Sequence, residues 1–333
     1  MRHRPPRAPG IVEASTSETS HSVPVSSMNS RASLGSVDLR MGTSRSRITS
    51  RSAARSAPPL DWNLMLTYLA PRCTPGVEAV SGISYSRTVQ VDRSRGWLSV
   101  YVQGEARAPT VELSPSLEGQ RDAVRERVSR LLGAGVDVRR INRALSSDPL
   151  LAPLVKRHPG LRVAGAVDRF ELALRAVLGQ QVSVAAASTF SGRLAALLGD
   201  SFKGAPLGLS RLSVTAGQVA DARPSTVARI GLTRARAATA VALARAVIDG
   251  LLADDSDPES QIAALKEVPG IGDWTASYIA MRALRWPDAF PHGDLGLRKA
   301  AGNLTARELL AVAERWRPYR AYAAMHLWAS LHA

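Results

Sequence analysis

The sequence predicts an α+β protein: a small α/β sheet unit, then a mainly α-helical body, preceded by a disordered tail. Three observations carry this. Residues 1–58 are rich in Arg, Ser, Pro and Thr and show no apolar periodicity, so they cannot bury enough surface to offset their ordering entropy. Between Ile83 and Gln103 apolar and polar residues alternate with the period of strands. Beyond Ile141 the spacing is helical to the end of the chain.

The tail, acid-poor as well as Arg/Ser-rich, superficially resembles an organelle transit peptide, and a start at Met28 or Met41 explains it equally well. The sheet unit is expected over 59–143. Leu60–Arg72 reads as a short amphipathic helix, and Ile83–Gln103 as two strands joined around Arg95-Gly96. "TVELSPS" offers a further strand. Val124, Val128, Leu131 and Leu132 then share one face of a helix that Gly133 ends.

The body is expected over 144–333. Helices Phe170–Leu178 and Val182–Leu198 are separated by Gly179-Gln180-Gln181. Arg234–Ile248 begins after Thr233 as N-cap and stops at Gly250, and Asp257-Pro258 is a cap followed by proline at the first helical position. Helices over Asp273–Leu284, Ala306–Arg315 and Tyr319–Leu331 follow.

Composition narrows the function. The formal net charge of +15, carried by arginine with only four lysines, favours a polyanionic partner, nucleic acid above all, although biased arginine usage or the tail alone would also raise it. Cys73 is the only cysteine, which excludes an internal disulfide, a cysteine-based zinc site and an iron–sulfur cluster, and suits a reducing cytosol. No apolar run reaches the roughly 20 residues of a membrane span, so a soluble, cytoplasmic protein is expected.

The informative stretch is "LKEVPGIGDWTASYIAMRAL", Leu265–Leu284. Two helical patterns are interrupted by Pro269-Gly270-Ile271-Gly272 and resume at once. Such a corner leaves amides of Gly270, Gly272 and the following residues, Thr275 among them, at the positive end of a helix dipole, where an anion binds. With Leu265, Val268 and Ile271 packing the corner, it reads as a helix-hairpin-helix element that holds a DNA phosphate without reading bases. The bland alternative is an ordinary helical corner that glycine merely permits. Downstream, in "DAFPHGDLGLRKA", Asp294 follows a Pro/His/Gly loop and precedes a short helix. By itself that is an N-cap, and helix-start amides favour a carboxylate there. His292 reads as a structural or solvated loop histidine.

These blocks, with "LDWNLMLTYLAPR", "FELALRAVLGQQVSVAAAS" and "AERWRPYRAYAAMHLW", resemble the HhH-GPD superfamily of base-excision DNA glycosylases, and within it AlkA-type DNA-3-methyladenine glycosylase II, over roughly Leu60–His332. The resemblance implies a helix-hairpin-helix glycosylase body of two helical subdomains with the active-site cleft between them, and a TBP-like N-terminal sheet. It implies a catalytic carboxylate at Asp294, pocket aromatics at Trp274, Tyr278 and Trp328, and DNA contacts at Gly270, Gly272, Thr275 and Gln181. The partner would be double-stranded DNA containing alkylated bases, bound by a monomer. No cofactor is required, and a monovalent cation on the hairpin carbonyls is left open.

Two departures matter. Strand-cutting relatives carry a Schiff-base lysine directly after the hairpin; here Trp274 stands there and Lys266 lies before the turn. The bacterial type member has a leucine wedge where this chain has Gln181. The competing readings are a non-catalytic DNA-binding module, a bifunctional glycosylase/lyase for oxidised bases, and an adaptive-response transcriptional fusion, which would need a cysteine-rich segment.

Overall fold

The computed structural model describes residues 40–41, 58–102, 108–253 and 257–331. Apart from positions 40, 41 and 58, the expected tail lies outside the described residues. Five strands form one sheet: β1 (Arg40–Met41), β2 (Glu78–Ser81), β3 (Ser84–Val91), β4 (Ser94–Val102) and β5 (Pro109–Leu113), in the order β1-β5-β4-β3-β2. The four strands β2 to β5 are antiparallel, and β1 pairs in parallel with β5 at the edge. The β3–β4 turn sits at Asp92-Arg93 rather than at the expected Arg95-Gly96. Asp92 takes the left-handed conformation (φ 51°), and Gly96 lies within β4. A Cβ there would come within 2.2 Å of the Ser114 hydroxyl, so that glycine serves close packing, not a turn.

The helices are α1 (Trp62–Leu69), α2 (Arg121–Leu131), α3 (Val138–Leu145), α4 (Ala152–Arg157), α5 (Arg169–Leu178), α6 (Val184–Leu198), α7 (Ala216–Asp221), α8 (Pro224–Ala228) and α9 (Arg234–Ile248). They continue as α10 (Pro258–Glu267), α11 (Asp273–Arg282), α12 (Leu295–Ala300), α13 (Ala306–Ala313) and α14 (Arg320–Ser330). Their starts follow local chemistry. Asp61, Asp168, Ser183, Thr233, Asp257 and Asp294 each accept from an amide of the first turn.

Two apolar cores result. One joins α1, the sheet and α2–α4 to α12–α14, so its members run from Leu60 to Leu327. The other gathers α5–α11, from Ala166 to Ala283. The sheet unit therefore does not have a core of its own: it shares one with the last three helices, and α3 straddles the 143/144 position. Arg87 on β3, only 4% exposed, fastens sheet to body by pairing with Glu171 of α5 at 2.6 Å and Glu78 of β2 at 3.4 Å. A buried guanidinium placed so is tolerated only because both carboxylates face it.

α14 is anchored where its neighbour matters most. Arg320 donates through Nε and Nη2 to the two oxygens of buried Asp288, at 2.9 and 2.8 Å, in the forked geometry that fixes orientation as well as distance. Asp288 lies in the loop that leads from α11 to Asp294. The C-terminal helix and that loop are thus held in register.

Candidate active site and nucleic-acid interface

The corner expected from "VPGIG" forms between α10 and α11. Val268 ends α10, Gly270 adopts φ +89°, and Gly272 caps α11 with no side chain of its own. Gly270 is required twice over. Its φ is the left-handed region, and a Cβ would lie 2.1 Å from the Thr239 hydroxyl on α9. Gly270, Gly272 and Asp273 are exposed while Ile271 and Val268 are buried, so the corner turns its backbone outward and roots its apolar side chains. Lys266 and Asp273 close the exposed base of the corner as an ion pair at 2.6 Å.

Thr275 does not face outward. It is buried, and its hydroxyl accepts from Gln180 at 3.1 Å. The same Gln180 amide donates to the Gly270 carbonyl at 2.8 Å. Gln180 was not singled out in the sequence, where its neighbour was; it ties the α5–α6 loop to the hairpin. Gln181 itself is exposed and holds φ +55°, a conformation rare for a residue with a side chain.

Asp294 caps α12, half-buried, with Oδ1 accepting from the Leu297 amide at 3.0 Å. The same oxygen accepts from the Trp328 indole at 3.0 Å, and Oδ2 accepts from the Trp274 indole at 3.1 Å. Of the three aromatics expected at the pocket, Trp274 and Trp328 touch Asp294 and Tyr278 packs against both of them. Trp274 stacks on Tyr278 with centroids 5.4 Å apart and planes 11° from parallel, as their positions on successive turns of α11 allow. Tyr278 meets Trp328 edge-on at 6.2 Å. Gly296 leaves room for this group: a Cβ there would lie 3.0 Å from Asp294 Oδ1 and 3.4 Å from Trp328 Cδ1.

Behind the aromatics lies a polar layer that no motif announced. Tyr68 on α1 stands 6.4 Å from Trp328, and its hydroxyl is 3.4 Å from that of Tyr278. Buried Arg282 donates to the Tyr278 hydroxyl at 2.8 Å and to the Ala164 and Gly165 carbonyls at 2.7 and 3.0 Å. Arg72 lies over the Tyr68 ring at 3.8 Å. The phenols diverge in consequence. Burial pushes Tyr68 up to about 12. For Tyr278 burial acts in the same direction, but Arg282 and Arg72 together with the hydrogen bonds from Tyr68 and Arg282 outweigh it and bring the phenol down to about 7. A cleft lined by Tyr68, Trp328, Leu64, Met65, Met325 and Arg72 adjoins this layer. Tyr68 was legible only as part of an amphipathic helix, and Arg282 only as a basic residue ending α11.

Among the described residues no group of three or more His, Cys, Asp or Glu is arranged to hold a metal ion, and no helix is long and apolar enough to cross a membrane. His292 lies two residues before Asp294, half-buried.

Comparison with known proteins identifies the family of both parts of the chain. Residues 55–168 match the AlkA N-terminal domain, and residues 174–309 match the HhH-GPD superfamily base excision DNA repair protein family. The chain is 33% identical over 273 residues to DNA-3-methyladenine glycosylase 2 of Escherichia coli, covering 81% of this chain and 94% of that protein. It is 38% identical over 282 residues to a probable bifunctional transcriptional activator/DNA repair enzyme AlkA of Mycobacterium tuberculosis, covering 82% of this chain and 55% of that one. The solved structure of a 3-methyladenine DNA-glycosylase from Archaeoglobus fulgidus superimposes with a TM-score of 0.71 at 23% identity, over 81% of this chain and 94% of that one, a likeness of fold. With both family regions in order and a relative matched over nearly its whole length, the chain belongs to the HhH-GPD superfamily of base excision DNA repair proteins, in the branch that carries the AlkA N-terminal domain.

Proposed function

We propose that the chain is a monofunctional DNA glycosylase that extrudes alkylated bases, 3-methyladenine first and then other alkylated purines, from duplex DNA and hydrolyses their N-glycosidic bond, leaving an abasic site. The observation that carries this is the Asp294 carboxylate set between two tryptophan rings, with the exposed glycine corner nearby in sequence to hold a phosphate. The Escherichia coli relative is by its name a DNA-3-methyladenine glycosylase, which supports the same substrate class here.

The chemistry follows from the substrate. A glycosidic bond inside a duplex is out of reach, so the nucleotide must leave the stack. Glycoside hydrolysis usually employs two carboxyl groups, one of them protonating the leaving group. An alkylated purine is already cationic: the N–C1′ bond breaks with its electron pair going to the base, which departs neutral. Water then adds to C1′ and gives its proton to solvent. One carboxylate suffices to stabilise the oxocarbenium-like sugar and orient the water, and Asp294 fits that role. Indole faces favour a cationic base by about 0.5–2 kcal/mol, a modest bias that suits a broad substrate range.

The corner amides of Gly270, Gly272 and the start of α11 suit a phosphate, and Gln181, exposed and left-handed, suits filling the gap left by the extruded base while offering its amide to the orphaned partner. Thr275 then supports the corner through Gln180 instead of touching the strand. The reaction of this family needs no cofactor. A monovalent cation on the hairpin carbonyls would share the Gly270 oxygen with Gln180. The partner is double-stranded DNA, bound by a monomer in the cytoplasm, where a bacterial chromosome lies. Trp274, at the place of the lyase lysine, argues against strand cleavage, and the intact carboxylate against a mere binding module. Incubation with methylated duplex DNA should release free 3-methyladenine, seen by chromatography, and borohydride should trap no covalent adduct. Release of no base, or a trapped adduct, would overturn this reading.

A further inference from the structure

An N-cap needs one backbone donor, and Asp294 has that in the Leu297 amide. It also receives two indole N–H groups from two separate helices, Trp274 at the start of α11 and Trp328 near the end of α14. Both indoles are partly buried, yet each finds its acceptor in the same carboxylate and not in a nearby carbonyl. A ring that served only as a pocket wall would use its face and leave the N–H without a set partner. Tryptophan alone among the apolar aromatics carries a ring donor that cannot accept and does not titrate.

Counting acceptor sites sharpens the point. A carboxylate offers about two lone-pair directions on each oxygen. Among the described residues, Oδ1 takes both the Leu297 amide and the Trp328 indole, whereas Oδ2 takes the Trp274 indole alone and keeps one direction open. The donors come from α11, α12 and α14, and Arg320–Asp288 holds α14 against the loop that carries Asp294. The backbone makes room for the contact, because Gly296 approaches Asp294 Oδ1 and Trp328 Cδ1 too closely for a side chain to be comfortable.

We infer that Trp274 and Trp328 are positioning residues for the reaction: their indole N–H groups fix the plane of the Asp294 carboxylate and leave Oδ2 as the oxygen that meets the sugar or the water. This role is separate from any ring contact with the base, and it rests on the reading of Asp294 as the catalytic carboxylate. Each donor is a hydrogen bond to a charged group and acts on turnover rather than on DNA binding.

The test compares single-turnover base release from a duplex carrying one alkylated purine and affinity for an undamaged duplex. The variants are Trp274→Phe and Trp328→Phe, and each tryptophan replaced by benzothienylalanine, which keeps the ring shape and exchanges N–H for sulfur. The expected result is a rate lower by about 10- to 100-fold for each loss of a donor, with affinity for an undamaged duplex unchanged. The sulfur analogue should be as slow as phenylalanine although its ring still fills the site, and it guards against a phenylalanine variant that folds poorly. Wild-type rates with both sulfur analogues, while Asp294→Asn is inactive, would overturn the positioning inference alone. A wild-type rate for Asp294→Asn would overturn the catalytic reading beneath it.

Discussion

Gln180 donates its side-chain amide to the Gly270 carbonyl at 2.8 Å and to the Thr275 hydroxyl at 3.1 Å, joining the α5–α6 loop to the glycine corner 90 residues away. Through it, the residue proposed to enter the DNA stack and the backbone proposed to hold the phosphate move as one piece. Replacing Gln180 by Ala takes the donor from a buried hydroxyl and cuts the bond to the exposed Gly270 carbonyl. A loss of about 1–3 kcal/mol in stability is expected, together with weaker binding to duplex DNA. Thermal unfolding and fluorescence anisotropy check this; unchanged values in both would remove the tie from the account.

Gly270→Ala meets two obstacles, the left-handed φ of +89° and the Thr239 hydroxyl 2.1 Å from the new Cβ. The strain alone is worth about 1–3 kcal/mol. Adding Thr239→Ala should recover the steric part and leave the backbone part, so the double variant melts between Gly270→Ala and wild type. A Gly270→Ala protein as stable as wild type and binding DNA equally well would contradict the corner as described.

Tyr278 should titrate near neutrality. Its phenol lies at about 7 against an ordinary 10.0. Between those values the folded protein holds fewer protons than the unfolded chain, so stability rises with pH across this window. The contribution is fully present above pH 10 and is lost as pH falls through about 7. The ultraviolet band of tyrosinate should therefore grow with a midpoint near 7 and vanish in Tyr278→Phe, whose stability should lack that rise. Tyrosines that all titrate at or above 10 would contradict the arrangement of Arg282, Arg72 and Tyr68 around this hydroxyl.

Much of this was legible in the chain because its causes are local. The string from Leu265 to Leu284 encodes the corner in consecutive residues: apolar roots, two glycines, and a helix that restarts with no side-chain cap. Asp294 announced itself as a helix cap, and Trp274 and Tyr278 share a face by spacing alone. Gly96 misled because glycine marks turns and close approaches alike, and only the Ser114 contact from the next strand distinguishes them. Strand β2, four residues long with only partial burial, has too little alternation to stand out. The Tyr68–Tyr278 and Arg282–Gly165 contacts span 210 and 117 residues, distances over which no periodicity speaks. The same holds for the two indoles on Asp294, separated from it by 20 and 34 residues.

The central claim is that the carboxylate of residue 294 carries out the reaction. Asp294→Asn preserves the size of the cap and its Oδ1 acceptor while removing the negative charge. Chromatography of the bases released from methylated duplex DNA should show 3-methyladenine with the wild-type protein and none above the spontaneous rate with Asp294→Asn, whose DNA affinity stays close to wild type. Release at the wild-type rate by the asparagine variant would contradict the account.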